Sequence, residues 1–202
     1  ARKDLYETDG DLFIVDQMIT TETGDPIVYP FGMKPTLHKY RLGRLEAFHQ
    51  SRRIAVCSGG DAFGDWVPDS WIEMLFQECA RYPIHHYLFL TQNPARYQTV
   101  AVPKGVDFWF GVTITKASEV NRLSYLPKEQ PSYAVISPLM GKVTLRDYEG
   151  LDWIIIGAER MSWRPYTTKK EWVDEIVMAA DRAGIPVFME SSLGKVVGDG
   201  LR

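Results

Sequence analysis

Hydroxyls, glycines and carboxylates recur at one kind of place in this sequence: directly after short apolar runs. Ser58, Gly59, Gly60 and Asp61 follow Arg53-Ile54-Ala55-Val56-Cys57. Thr91 and Gln92 close the run that begins at Tyr87, and Thr113 and Thr115 end the run that begins at Phe108. Ser137 follows Tyr133-Ala134-Val135-Ile136. Glu159 and Arg160 follow the run Leu151 to Gly157, and Glu190, Ser191 and Ser192 follow Pro186-Val187-Phe188-Met189. Gathered on one edge, these groups would form a cleft able to accept and donate hydrogen bonds and to move protons. The Gly59-Gly60 pair would let backbone come close to a bound group. Each residue also has a plainer reading. Thr91, Thr113 and Ser137 suit helix caps, Glu159 suits a surface pairing with Arg160 or Arg164, and Gly59-Gly60-Asp61 suits an ordinary turn between strand and helix.

The elements that would bring them together follow from periodicity. The apolar runs are continuous rather than alternating, as in strands buried on both faces, and Ile54 to Cys57 reads as a central strand. Between them lie helical patterns. Leu42, Leu45 and Phe48 share a face over 37–50, and Trp71, Ile72, Leu75, Phe76 and Cys79 form a stripe after an Asp69 cap. Asn93-Pro94 opens a short helix, and Val120, Leu123 and Leu126 point one way over 118–126. Trp172, Ile176, Val177 and Ala180 do so before Gly184, which suits a helix C-terminus. Residues 1–35 read as irregular, with Leu12-Phe13-Ile14-Val15 as a short strand or buried clip. Alternating strands and helices predict an α/β fold in a single domain. Its parallel sheet of about six strands is expected to be either a partial TIM-type barrel or an open doubly wound sheet.

Composition narrows the function classes. The chain has 202 residues, a formal net charge of −3 and no run of apolar residues long enough to span a bilayer. That balance argues against a general nucleic-acid coat, although Arg41, Arg44, Arg52 and Arg53 could make a local basic patch or a solvated face. Cys57 and Cys79 are the only cysteines. Two thiols cannot by themselves complete a zinc or iron–sulfur site, so they are expected to be reduced and structural in a cytoplasmic protein. His85-His86 lacks a partner at ligand spacing and reads as structural or exposed. There is no nucleophile elbow, P-loop or zincin helix.

An ordered set of pieces resembles a known family. They are Cys57-Ser58-Gly59-Gly60-Asp61-Ala62-Phe63-Gly64-Asp65-Trp66-Val67-Pro68, Phe89-Leu90-Thr91-Gln92-Asn93-Pro94, Trp109-Phe110-Gly111-Val112-Thr113, Pro138-Leu139-Met140-Gly141, Asp152 to Glu159, and Gly184 to Met189. The family is the phage-associated three-cysteine proteins of unknown function, which have a radical-SAM-like partial barrel. The resemblance implies strand ends that bind S-adenosylmethionine near a [4Fe–4S] cluster. Gly59-Gly60-Asp61 would take the place of the glycine-glycine-glutamate turn that holds the methionyl amino group. Thr113, Ser137 and Glu159 would face the same ligand, with Glu159 and Glu190 positioning cofactor or substrate. Two departures stand out. The family's three-cysteine motif is absent from this chain, which implies either a preceding cluster-binding segment or a cluster-less relative. Ser137 stands where a carboxylate is common.

Two functions remain open at this stage. One is a radical enzyme that reductively cleaves S-adenosylmethionine and abstracts hydrogen from a substrate. The other is a non-catalytic barrel that binds a nucleotide, nucleic acid or partner. A small-molecule cofactor is the expected partner, and no membrane association is expected.

Overall fold

The structure, a computed structural model, describes residues 5–144, 150–159 and 168–200. Arg160, Arg164 and the opening Ala1 to Asp4 lie outside the described residues. The chain divides into two compact units.

The first unit comprises residues 1–52, 65–85 and 101–106. Strands β1 (Tyr6–Asp9) and β2 (Leu12–Val15) form an antiparallel hairpin, and β3 (Thr36–His38) pairs parallel to β2. Gly10, at φ 59°, occupies the turn, where a side chain would strain the left-handed backbone. Phe13 stacks on Phe31 with ring centres 3.9 Å apart, and Tyr6 meets Phe31 edge-on at 4.8 Å. The irregular opening expected from sequence is thus partly a sheet, with Leu12–Val15 as a strand. Helix α1 (Asp69–Ala80) buries Trp71, Ile72, Phe76 and Cys79. Its N-cap is Pro68, so Asp69 sits inside the first turn, where its charge complements the helix dipole.

The helix expected over 37–50 takes a different form. Its first residues belong to β3, and Lys39–Ala47 is a 3₁₀ helix that buries none of its residues. The helical pattern at 118–126 is likewise a 3₁₀ helix, Ala117–Tyr125. Leu42, Leu45 and Phe48, and likewise Val120, Leu123 and Leu126, recur at every third residue. Three residues per turn is the 3₁₀ repeat, and an α-helix would drift off that stripe.

The second unit comprises residues 53–64, 86–100 and 107–202. It holds a six-stranded, all-parallel sheet curled into a half-barrel. The strands are β4 (Arg53–Ala55), β5 (His86–Thr91), β6 (Asp107–Thr113), β7 (Ser132–Ile136), β8 (Trp153–Ile156) and β9 (Val187–Met189), in that spatial order. The expectation that Ile54–Cys57 is central is corrected here. Among the described residues β4 pairs only with β5, and Arg53 and Ala55 are exposed. A short apolar run can sit at a sheet edge when one face alone is covered.

Helix α2 (Lys170–Ala183) ends at Gly184 with φ 71°, as its sequence predicts. Its Val173, Ile176, Val177 and Ala180 pack with Val112, Ile114, Ala134, Ile136, Ile154 and Ile156. These strand residues alternate, so their neighbours Thr113, Tyr133, Val135, Trp153 and Ile155 occupy the opposite face. In a barrel-type sheet the helices coat the outside, which makes that opposite face the inner one. A short helix α3 (Gly194–Val197) follows β9. Among the described residues, no helix is long and apolar enough to cross a membrane.

Candidate functional site

The parallel sheet sends the end of every strand the same way, so residues after β4 to β9 share one edge. The sequence-predicted residues separate there into two groups.

The first group surrounds Asp61. Its Oδ1 accepts the Phe63 N–H at 2.9 Å. Its Oδ2 accepts the Thr91 hydroxyl at 2.9 Å and the Gln92 N–H at 3.0 Å. Thr91 is 2% exposed, and its oxygen also accepts the Asn93 N–H. The Asn93 side chain does not cap the helix that it precedes. It donates instead to the Phe63 carbonyl at 3.2 Å. Asp61 therefore fastens the loop after β4 to the end of β5. This bracing seats Phe63, fully buried, edge-on to Tyr97 at 4.6 Å and to Phe89 at 5.7 Å. Ser58, Gly59 and Gly60 form an exposed turn whose Gly60 N–H donates to the Cys57 carbonyl at 2.9 Å. Cys57 is exposed and holds a left-handed φ of 56°; local desolvation around its sulfur, together with the Asp61 charge, pushes its thiol up. That direction disfavours the reactive thiolate.

The second group surrounds Glu190. Its Oε2 accepts the hydroxyls of Ser137 and Ser192, each at 3.3 Å. The Ser192 oxygen in turn accepts the Ala158 N–H at 2.9 Å. Backbone bonds hold the three strand ends in register: Gly157 N–H to Ile136 O at 3.0 Å, and Glu190 N–H to Ile156 O at 2.8 Å. Gly157 makes the arrangement possible. A Cβ there would lie 2.3 Å from Ser137 Oγ and 2.4 Å from Glu190 Oε2. The carboxylate thus lies down over a bare backbone. Glu190 and Ser137 are half-buried, and among the described residues no cationic side chain pairs with Glu190.

The other predicted residues fall between or beside these groups. Thr113 ends β6 half-buried, and its carbonyl accepts the Arg122 guanidinium at 2.8 Å. Thr115 donates its N–H and hydroxyl to Glu119 at 2.8 and 2.9 Å. Burial opposes ionisation of Glu119, but those two donors and the Arg122 and Lys116 charges hold its carboxyl below the usual range. Glu159 is half-buried just after β8.

Sequence reasoning missed two tyrosines and the two glycine positions. Tyr133 on β7 reaches across β6 to the Phe89 carbonyl of β5, at 2.9 Å. It can do so because Gly111 has no side chain: a Cβ there would lie 2.2 Å from the ring. Tyr97 donates to the Gly111 carbonyl at 2.8 Å. Burial pushes both phenols up. A glycine inside a continuous apolar strand signals such a close approach, and Gly111 carried that signal.

His86 pairs through Nδ1 with Asp107, which the parallel register places opposite it. The partner that spacing along the chain did not supply comes from the neighbouring strand. Of the arginines, Arg41 lies over Tyr40 at 5.7 Å and Arg52 over Phe48 at 4.4 Å. Both belong to the first unit, whereas Arg53 begins β4 in the second.

A family model described as "Protein of unknown function (DUF5131)" matches residues 16–198. No curated protein and no solved structure matches the chain.

Proposed function

We propose, for a chain that belongs to the DUF5131 family of proteins of unknown function, that the half-barrel binds S-adenosylmethionine along its strand-end edge, in the manner of radical-SAM-type enzymes. The observation that carries the reading is the edge itself: a parallel half-barrel whose inner-face alternation turns from Tyr133, Val135, Trp153 and Ile155 to Ser137, bare Gly157 and Glu190. An apolar floor with a few convergent polar groups at its rim suits a ligand that joins an adenine to charged and hydroxylated parts. Asp61 contributes as a positioning residue, because its oxygens accept three donors of its own chain and brace the Gly59-Gly60 turn.

The residues present do not fit a [4Fe–4S] cluster. Such a cluster needs several thiolates, and the sequence holds two cysteines. Cys79 is buried in α1. Among the described residues no group of three His, Cys, Asp or Glu could hold a metal ion. The reading therefore requires cluster ligands from outside this sequence.

Titration calorimetry of the full-length protein with S-adenosylmethionine tests the binding. Anaerobic reconstitution with iron and sulfide, followed by assay for 5′-deoxyadenosine, tests the chemistry. Binding without 5′-deoxyadenosine reduces the protein to an adenosyl-binding barrel. No binding at millimolar ligand sinks the reading.

A further inference from the structure

We propose that Glu190, with Ser137 and Ser192 over Gly157, is a receptor for a primary ammonium that carries an apolar stem and no neighbouring carboxylate. This deepens the reading above by naming the substrate side of the same edge, and it rests on that edge being a ligand site.

The argument starts from what Glu190 lacks. A half-buried carboxylate has lost part of its hydration and gains most from a positive partner. Among the described residues none is paired with it. Two serine hydroxyls satisfy Oε2, while Oε1 receives no hydrogen bond from the described residues. The Ala158 N–H occupies a lone pair of Ser192 and so helps to aim its proton at the carboxylate. One oxygen is tied down and the other is left for a ligand.

That geometry selects among cations. A guanidinium binds a carboxylate best through both oxygens, and here one is already engaged. A divalent metal asks for several oxygen ligands, and no such cluster is present among the described residues. An ammonium is a point charge that one free oxygen and a serine hydroxyl can receive.

The surroundings select the rest of the molecule. Two residues back along β9 is Phe188, 49% exposed, and two back from Gly157 on β8 is Ile155. Both share the inner face with Glu190 by strand alternation, about 7 Å away along the strand. Trp153 continues this surface, with its ring centre 6.5 Å from that of Phe188. A short alkyl or aryl stem covers that distance. An amino acid would bring its carboxylate beside Glu190, with no described cation to offset the repulsion.

The experiment titrates the full-length protein with n-hexylammonium, hexan-1-ol and norleucine, then repeats the hexylammonium titration with E190Q, F188A and the exposed control D174N. Hexylammonium should bind about tenfold or more tightly than hexan-1-ol or norleucine. E190Q should remove that advantage, F188A should weaken binding severalfold, and D174N should leave it unchanged. Circular dichroism and thermal melting of each variant report folding separately. Equal binding of hexylammonium and hexan-1-ol to the wild-type protein overturns the proposal whatever the variants do. So does hexylammonium binding that a folded E190Q retains. S-adenosylmethionine, titrated in parallel, separates the two readings. Its binding without a Glu190-dependent amine overturns this inference alone. A Glu190-dependent amine without S-adenosylmethionine binding overturns the cofactor reading alone.

Discussion

Gly111 and Gly157 lie on the same face of one sheet, and each leaves a space that another residue enters. Over Gly111 the intruder is the ring of Tyr133, whose hydroxyl ties β7 to β5. Over Gly157 the intruders are a serine hydroxyl and the Glu190 carboxylate. The first space is filled with buried aromatic carbon and every polar atom it engages is chain. The second is floored by backbone and rimmed by groups with hydrogen-bonding capacity to spare. The two strand-end carboxylates repeat the contrast. Asp61 at the β4 side accepts three chain donors, and Glu190 at the β9 side accepts two hydroxyls on one oxygen. A glycine cradle or a terminal carboxylate does not by itself identify a site. What fills it does.

If the β4–β6 side is structural, damage there should appear as lost stability. Asp61→Ala removes an ionised acceptor from three donors and should cost about 3 kcal/mol, read from the urea midpoint. A variant within about 0.5 kcal/mol of wild type would erase the contrast with Glu190. Gly111→Ala drives a methyl into the Tyr133 ring and should cost about 2–3 kcal/mol, by the same measurement.

Alkaline titration sharpens the same side. Tyr97 and Tyr133 have phenols raised by burial, while in the unfolded chain they ionise near the ordinary value of about 10. Folded pKa values above unfolded ones mean that stability is whole below pH ~10 and falls as pH rises beyond it. Melting temperature against pH should therefore bend downward above ~10. The Y97F/Y133F pair should flatten that bend, and an unchanged bend would assign it to other groups.

The β7–β9 side should respond oppositely. Gly157→Ala meets the Ser137 hydroxyl and the Glu190 carboxylate, side-chain ends that can rotate away, so the cost should be about 1 kcal/mol with ligand binding lost. Glu190→Gln should be the mildest in stability, within about 0.5 kcal/mol, and among the most damaging to binding. A Glu190→Gln cost equal to that of Asp61→Ala would mark both carboxylates as braces.

Apolar continuity located all six sheet strands, the run Arg53–Cys57 covering β4. Tyr87–Thr91, Phe108–Ile114 and the runs at Tyr133, Leu151 and Pro186 correspond to β5–β9 within a few residues. The edge placement of β4 escaped, because burial on one face looks in sequence much like burial on two. The helical patterns at 37–50 and 118–126 do hold helices, and their stripe at every third residue is the 3₁₀ repeat. Of the candidate residues, Ser137 and Glu190 do meet, and Asp61 and Thr91 meet elsewhere. Nothing along the chain distinguishes those pairs, which are 53 and 30 residues apart.

Local composition by itself determined the α/β class, the parallel sheet and the edge where polar residues collect, because strand burial and turn chemistry act over a few neighbours. It marked both Gly59-Gly60-Asp61 and Glu190 as candidates. Tertiary structure decided between them. Which oxygen a donor reaches depends on register and curl across several strands; that geometry satisfies both oxygens of Asp61 from within, whereas among the described residues Glu190 accepts hydroxyls on one oxygen alone.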